Sequence, residues 1–192
     1  NPRPHARPDV YLNGVRITNS KSLTGANATS FSIGGGLQFG TATGYVGNVF
    51  ITSSTFTGNQ APGFAGLRIS NALGVTLRSV SVTNNTATGA YNSTSTLSSG
   101  FGGGAYVNNV ATLSIAQSNF DNNIAGRGDA GLGIQGVSGV YLTDITANGN
   151  TVNANNTASS IYYGGLFIDS NTSVIATRVQ ASNNTLNAAP NT

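Results

Sequence analysis

Val75-Thr76-Leu77-Arg78-Ser79-Val80-Ser81-Val82-Thr83-Asn84-Asn85 reads apolar, x, apolar, x, x, apolar, x, apolar, x, x, Asn. The same eleven-residue phrase opens at Val10, Val49, Leu113, Val140 and Val174. It closes there on Ser20, Asn59, Asn123, Asn150 and Asn184, so it occurs six times in 192 residues. Of its 24 apolar slots 22 are filled, against about nine expected at the chain's 38% hydrophobic content; only Ser54 and Ser118 depart. Five copies are preceded by a second element, Gly-apolar-x-apolar, led by Gly36, Gly66, Gly104, Gly131 and Gly165. Alternation of period two marks strands. The β-branched, Asn, Gly and Thr content argues against helix.

Three strands of a few residues cannot bury a face alone, but they can if each pairs with its equivalent in the units above and below. The expected fold is therefore all-β: a single-stranded right-handed parallel β-helix, a solenoid of about six coils with three short strands per coil. It would occupy residues 10–192, with Val49, Val75, Leu113 and Val140 in one interior column. The corner asparagines Asn59, Asn85, Asn123, Asn150 and Asn184 have two reasons to recur. Asn tolerates the left-handed backbone of a sharp corner. Its amide can also bond the equivalent amide one rung away, forming a ladder. Between Pro8 and Pro190 the only proline is Pro62, so no expected ladder strand loses a donor.

Unit length varies only between the corner residue and the next Gly-led strand. Long loops at 21–35, 86–103 and 151–164 alternate with short ones and would rise along one side of the stack. Loops on a rigid scaffold are a common place for function, and length variation at a solvated corner is the plain alternative. Residues 1–9, Pro/Arg-rich and opening Asn1-Pro2-Arg3-Pro4-His5, read as an extended arm or linker.

Gly, Asn, Ser and Thr supply 95 positions, while charged residues make up 7% and Cys, Met and Trp are absent. Coiled coils, disulfide scaffolds and thiolate metal sites are thereby excluded. No run of 18 apolar residues exists, so no membrane insertion of this segment is expected. The net charge of +3 includes Arg3 and Arg7 of the arm and forms no basic stripe, which argues against a nucleic-acid partner. Hydroxyl- and amide-rich, weakly charged surfaces suit an extracellular or cell-surface location. The missing Met reads as a processed or excised piece, with room for the array to continue in a longer parent.

The paired motifs, Gly-Gly-apolar in Gly103-Gly104-Ala105-Tyr106 and Phe-x-x-Asn in Phe56-Thr57-Gly58-Asn59 and Phe120-Asp121-Asn122-Asn123, carry a resemblance. They are similar to repeats of polymorphic outer-membrane proteins, adhesin-type autotransporter passengers within the pectin-lyase-like β-helices. Gly35-Gly36-Leu37 and Gly164-Gly165-Leu166 are near matches, whereas Val82, Ala147 and Ala181 stand where the motif has Phe. The resemblance implies a β-helical fold and an adhesive role. Other members of that broad class are polysaccharide lyases, hydrolases or epimerases.

Such chemistry needs paired carboxylates, or calcium-binding carboxylates with a basic residue, on one outer face. The five acids, Asp9, Asp121, Asp129, Asp144 and Asp169, share no face on adjacent rungs in the expected register. No catalytic residue, metal ligand or cofactor is expected. Asp144 and Arg178 hold the same offset in adjacent units and should form a surface ion pair. Asn27, Asn84, Asn92, Asn155, Asn171 and Asn183 head Asn-x-Ser/Thr acceptors for N-glycosylation, about as many as chance supplies in this composition. Phe31, Tyr91, Phe101, Tyr162 and Tyr163 fall in the long loops. They can meet sugars or a partner surface, or fold back over the flank.

The expected function is a non-enzymatic structural or adhesive solenoid: a surface adhesin segment meeting glycan or protein, or a filament building block meeting copies of itself. The alternative is a polysaccharide-binding or polysaccharide-processing β-helix whose catalytic coils lie outside these residues.

Overall fold

The computed structural model describes residues 7–22, 35–40, 46–89, 101–154, 163–169 and 172–188. Among them every regular element is a strand and every strand pairing is parallel. The chain curls so that each unit hydrogen-bonds to the next, an arrangement consistent with a β-helix-like solenoid.

The register follows the sequence phrase unit by unit. Val10 faces Val49, Val49 faces Val75, Val75 faces Leu113, Leu113 faces Val140 and Val140 faces Val174. Leu37, Leu67, Ala105, Leu132 and Leu166 align in the same way. Val49, Val75, Leu113 and Val140 are at most 2% exposed and belong to one apolar cluster. Each such side chain contributes about 1.5–3 kcal/mol on burial, which is why a slip of one residue, inverting every face, is not tolerated.

Ser54 and Ser118, the two breaks in the apolar pattern, are buried yet satisfied. Val15 N donates to Ser54 Oγ and Val80 N to Ser118 Oγ, each at 3.1 Å. The hydroxyls in turn donate to Thr52 O at 2.7 Å and Ala116 O at 2.8 Å. We expect Ser118→Ala to orphan the Val80 N–H and cost about 1–3 kcal/mol in urea unfolding, with Ser118→Thr milder. A loss below about 0.5 kcal/mol would show that the bond contributes nothing.

Three details differ from the sequence reading. Five of the six coils carry a further short strand just past the ladder position: Gln60–Ala61, Thr86–Ala87, Ile124–Ala125, Thr151–Ala154 and Thr185–Ala188 pair in a sheet of their own. Residues 86–87 and 151–154, expected in loops, therefore belong to the stack, and Ala87 and Val152 are buried. The left-handed corner residue is the one before the ladder asparagine: Asn19, Gly58, Asn84, Asn122, Gly149 and Asn183 have φ between 55° and 67°. The ladder residues are not left-handed, so their inward amide, not their backbone tolerance, explains them. In the arm, Pro8 O accepts from Gly47 N at 2.9 Å, and Asp9 Oδ1 from Asn48 N at 2.6 Å. Residues 8–9 thus run beside the second unit; residues 1–6 lie outside the described ones.

Candidate functional site

Inside the stack, the five asparagines form a continuous column. Nδ2 of Asn59, Asn85, Asn123 and Asn150 donates to Oδ1 of the next member at 3.0–3.2 Å. The backbone N–H of each donates to that same oxygen at 2.9–3.0 Å. The second Nδ2 hydrogen goes to a carbonyl one coil back, as from Asn123 to Val82 O at 2.9 Å. Asn85, Asn123 and Asn150 therefore use all four amide bonding positions while fully buried. The glycine leading each first strand fits this column. A Cβ on Gly104 would overlap Gly131 O and stand 2.8 Å from Asn123 Nδ2.

On the outer flank, the register places Arg68, Tyr106, Gly133 and Phe167 in one column and Ser70, Asn108, Gln135 and Asp169 in its neighbour. Phe64, 6% exposed, stacks on Tyr106 with ring centroids 5.3 Å apart, and the Arg68 guanidinium lies 4.4 Å from its ring centre. Arg127 lies 5.1 Å over Phe101, and Tyr163 stacks on Phe167 at 3.9 Å. Of the five loop aromatics, Phe101 and Tyr163 thus fold onto the coil; Phe31, Tyr91 and Tyr162 lie outside the described residues. A recess of about 180 Å³ remains between Phe64, Arg68, Phe101, Tyr106 and Asn108.

The flank also gathers polar groups. Ser70 Oγ bonds Asn108 Oδ1 at 2.5 Å, Tyr106 OH donates to Gln135 Oε1 at 2.6 Å, and Gln135 Nε2 donates to Asp169 Oδ2 at 3.4 Å. Burial, reinforced by the Asp129 charge, pushes the Tyr106 hydroxyl up to about 12. Asp129 is 6% exposed. Its carboxylate fills the space left by the missing side chain of Gly133, against the Tyr106 ring edge. Burial pushes it up to about 7. The Tyr106 proton is thus tightly held, while Asp129 changes charge near neutrality behind a cover of rings.

The remaining acids sit apart. Asp121 accepts from Asn148 N at 2.7 Å and from Thr146 Oγ1 at 2.9 Å, capping the next coil. Asp144 and Arg178 meet in two hydrogen bonds, Arg178 Nη2 to Asp144 Oδ2 at 2.9 Å and Nε to Oδ1. The hydrogen bonds from Arg178 hold the Asp144 carboxyl below its ordinary range. Both side chains are well exposed, so the pair adds little stability. Both also occupy left-handed corners, with φ of 56° and 52°. Asn84 and Asn183, two of the six glycosylation acceptors, are exposed corner residues; Asn27, Asn92, Asn155 and Asn171 lie outside the described residues. Among the described residues no three His, Cys, Asp or Glu gather as a metal site.

Comparison with protein-family models, curated proteins and solved structures finds no match to this chain.

Proposed function

We propose that the chain is a right-handed parallel β-solenoid with a structural or adhesive role at a cell surface or in the extracellular space, and that it is not an enzyme. The observation that carries this reading is the unbroken asparagine column, in which buried amides are spent wholly on joining one coil to the next. A hydrogen-bonded spine of this kind favours a stiff rod. The right hand is supported by the strong chirality preference of parallel strand connections. The hydroxyl- and amide-rich, weakly charged composition supports the location, and the partners are copies of the chain or surface glycans and proteins.

Electron microscopy of native material should show rods, alone or as surface stalks or filaments. The reading fails if the purified chain cleaves or epimerises a polysaccharide and loses that turnover on Asp129→Asn or Asp169→Asn.

A further inference from the structure

Phe64, stacked on Tyr106, and Phe101 line the recess on the outer flank together with Arg68 and Asn108. Both phenylalanine rings are seated on glycines. A Cβ on Gly102 would overlap Phe64 Cδ1, and one on Gly128 would stand 2.6 Å from Phe101 Cδ1. Both glycines have positive φ, 45° and 80°, a backbone that side-chain-bearing residues rarely adopt. The rings are therefore held in place before any ligand arrives, which lowers the ordering cost of binding.

Beside the rings runs a row of hydrogen-bonding groups. Ser70, Asn108, Gln135 and Asp169 share one outward column, about 4.8 Å from coil to coil. Ser70 Oγ takes Asn108 Oδ1, which leaves the Asn108 Nδ2 hydrogens for a ligand. Tyr106 OH takes Gln135 Oε1 in the same way, and the exposed Asp169 carboxylate accepts a long bond, 3.4 Å, from Gln135 Nε2.

Resting on the adhesive form of the reading above, we propose that this recess binds one neutral, glucose-like pyranose unit of a glycan. An all-equatorial pyranose has flat C–H faces for the rings and a rim of hydroxyls, each donor and acceptor, for the amides and the carboxylate. About 180 Å³ is less than the roughly 300 Å³ of a pocket for a drug-sized ligand, which suits a single ring of a longer chain. Charge favours a neutral unit. Arg68 and Arg127 on this flank are matched by Asp129 and Asp169, and the carboxylate of an acidic sugar laid along the row would meet Asp169. An apolar peptide side chain would use the rings but leave the Asn108 donors unpaired, at a cost in affinity.

Isothermal titration calorimetry with cellohexaose and laminarihexaose, beside a galacturonic-acid hexamer, tests this. The wild type should bind at least one neutral hexasaccharide with a Kd below about 1 mM, and the acidic one at least about tenfold more weakly. Asn108→Asp keeps the shape and the acceptor for Ser70 Oγ but loses both donors, and Phe101→Ala removes a ring. Each should weaken binding by at least about tenfold. Phe101→Leu replaces Phe101→Ala if circular dichroism shows that variant unfolded. Tyr141→Ala, at a ring 44% exposed outside the recess, should bind as the wild type does. The proposal is overturned by a folded wild type that binds neither neutral hexasaccharide at about 5 mM, or by equal affinity for the acidic hexamer. It is also overturned by folded Asn108 and Phe101 variants that bind like the wild type, or by a Tyr141→Ala loss as large as theirs. None of these outcomes bears on the structural reading, which fails on polysaccharide turnover instead; chromatography of the recovered hexasaccharides, expected intact, reads that separately.

Discussion

Asn123→Leu, close to isosteric, should destabilise the chain by on the order of 3–6 kcal/mol in chemical denaturation. Asn123 Oδ1 accepts from both Asn85 N and Asn85 Nδ2, each at 3.0 Å, and its own Nδ2 serves Val82 O and Asn150 Oδ1. Leucine leaves two donors and a carbonyl facing hydrocarbon in an interior where Asn85, Asn123 and Asn150 are fully buried. Each orphaned buried group costs roughly 1–3 kcal/mol, and whole domains are stable by about 5–15 kcal/mol, so the variant approaches unfolding. Asn122→Gly, one residue away at an exposed corner with φ of 57°, should change stability by less than about 0.5 kcal/mol. Asn123→Asp keeps both acceptor positions but turns a carboxylate toward Val82 O and Asn150 Oδ1, so it should be less damaging in acid than at neutral pH. Equal costs for Asn123→Leu and Asn122→Gly would mean that the column is incidental to stability.

The columns were legible because two independent periods agree. Alternation within a strand fixed which residues point inward, and the recurring phrase fixed which of them share a column, as in Val49 against Val75 and Val75 against Leu113. The fourth strand escaped because in three coils it has only two residues, too few to show alternation, and its inward slot there holds the small side chains of Ala61, Ala87 and Ala125. Its signal was present all the same: an apolar residue stands two places after each ladder asparagine, through Val152 and Leu186. The corner residue was misplaced by one because both Asn84 and Asn85 fit a turn by composition, and only the backbone distinguishes the left-handed one. The flank was the least legible part. Phe64 lies outside both motifs, and its packing on Tyr106 crosses between coils. Gly133, standing in the outward column where other coils have Arg68, Tyr106 and Phe167, marked a vacancy that a neighbouring side chain had to fill.

That side chain is Asp129, and it should give the protein a stability that falls as pH rises. Its carboxylate is pushed up to about 7 by burial, well above the roughly 3.9 of an unfolded Asp. Between those two values the folded chain holds a proton that the unfolded chain has released. Stability is therefore greatest below about pH 4, declines from there to about pH 7, and is level above it. Three pH units at about 1.4 kcal/mol each give a swing on the order of 3–4 kcal/mol. No hydrogen bond among the described residues compensates the ionised form; Tyr106, at its edge, stays neutral throughout that range, and Asp169 carries the same sign. Asp129→Asn keeps the shape and removes the charge. Urea unfolding should find the variant close to wild type at pH 4, where both side chains are neutral, and more stable at pH 8 by most of that swing. Parallel stability curves for the two proteins across pH 4–8 would place the carboxylate in water instead, with the ring cluster of Tyr106, Tyr163 and Phe167 open around it.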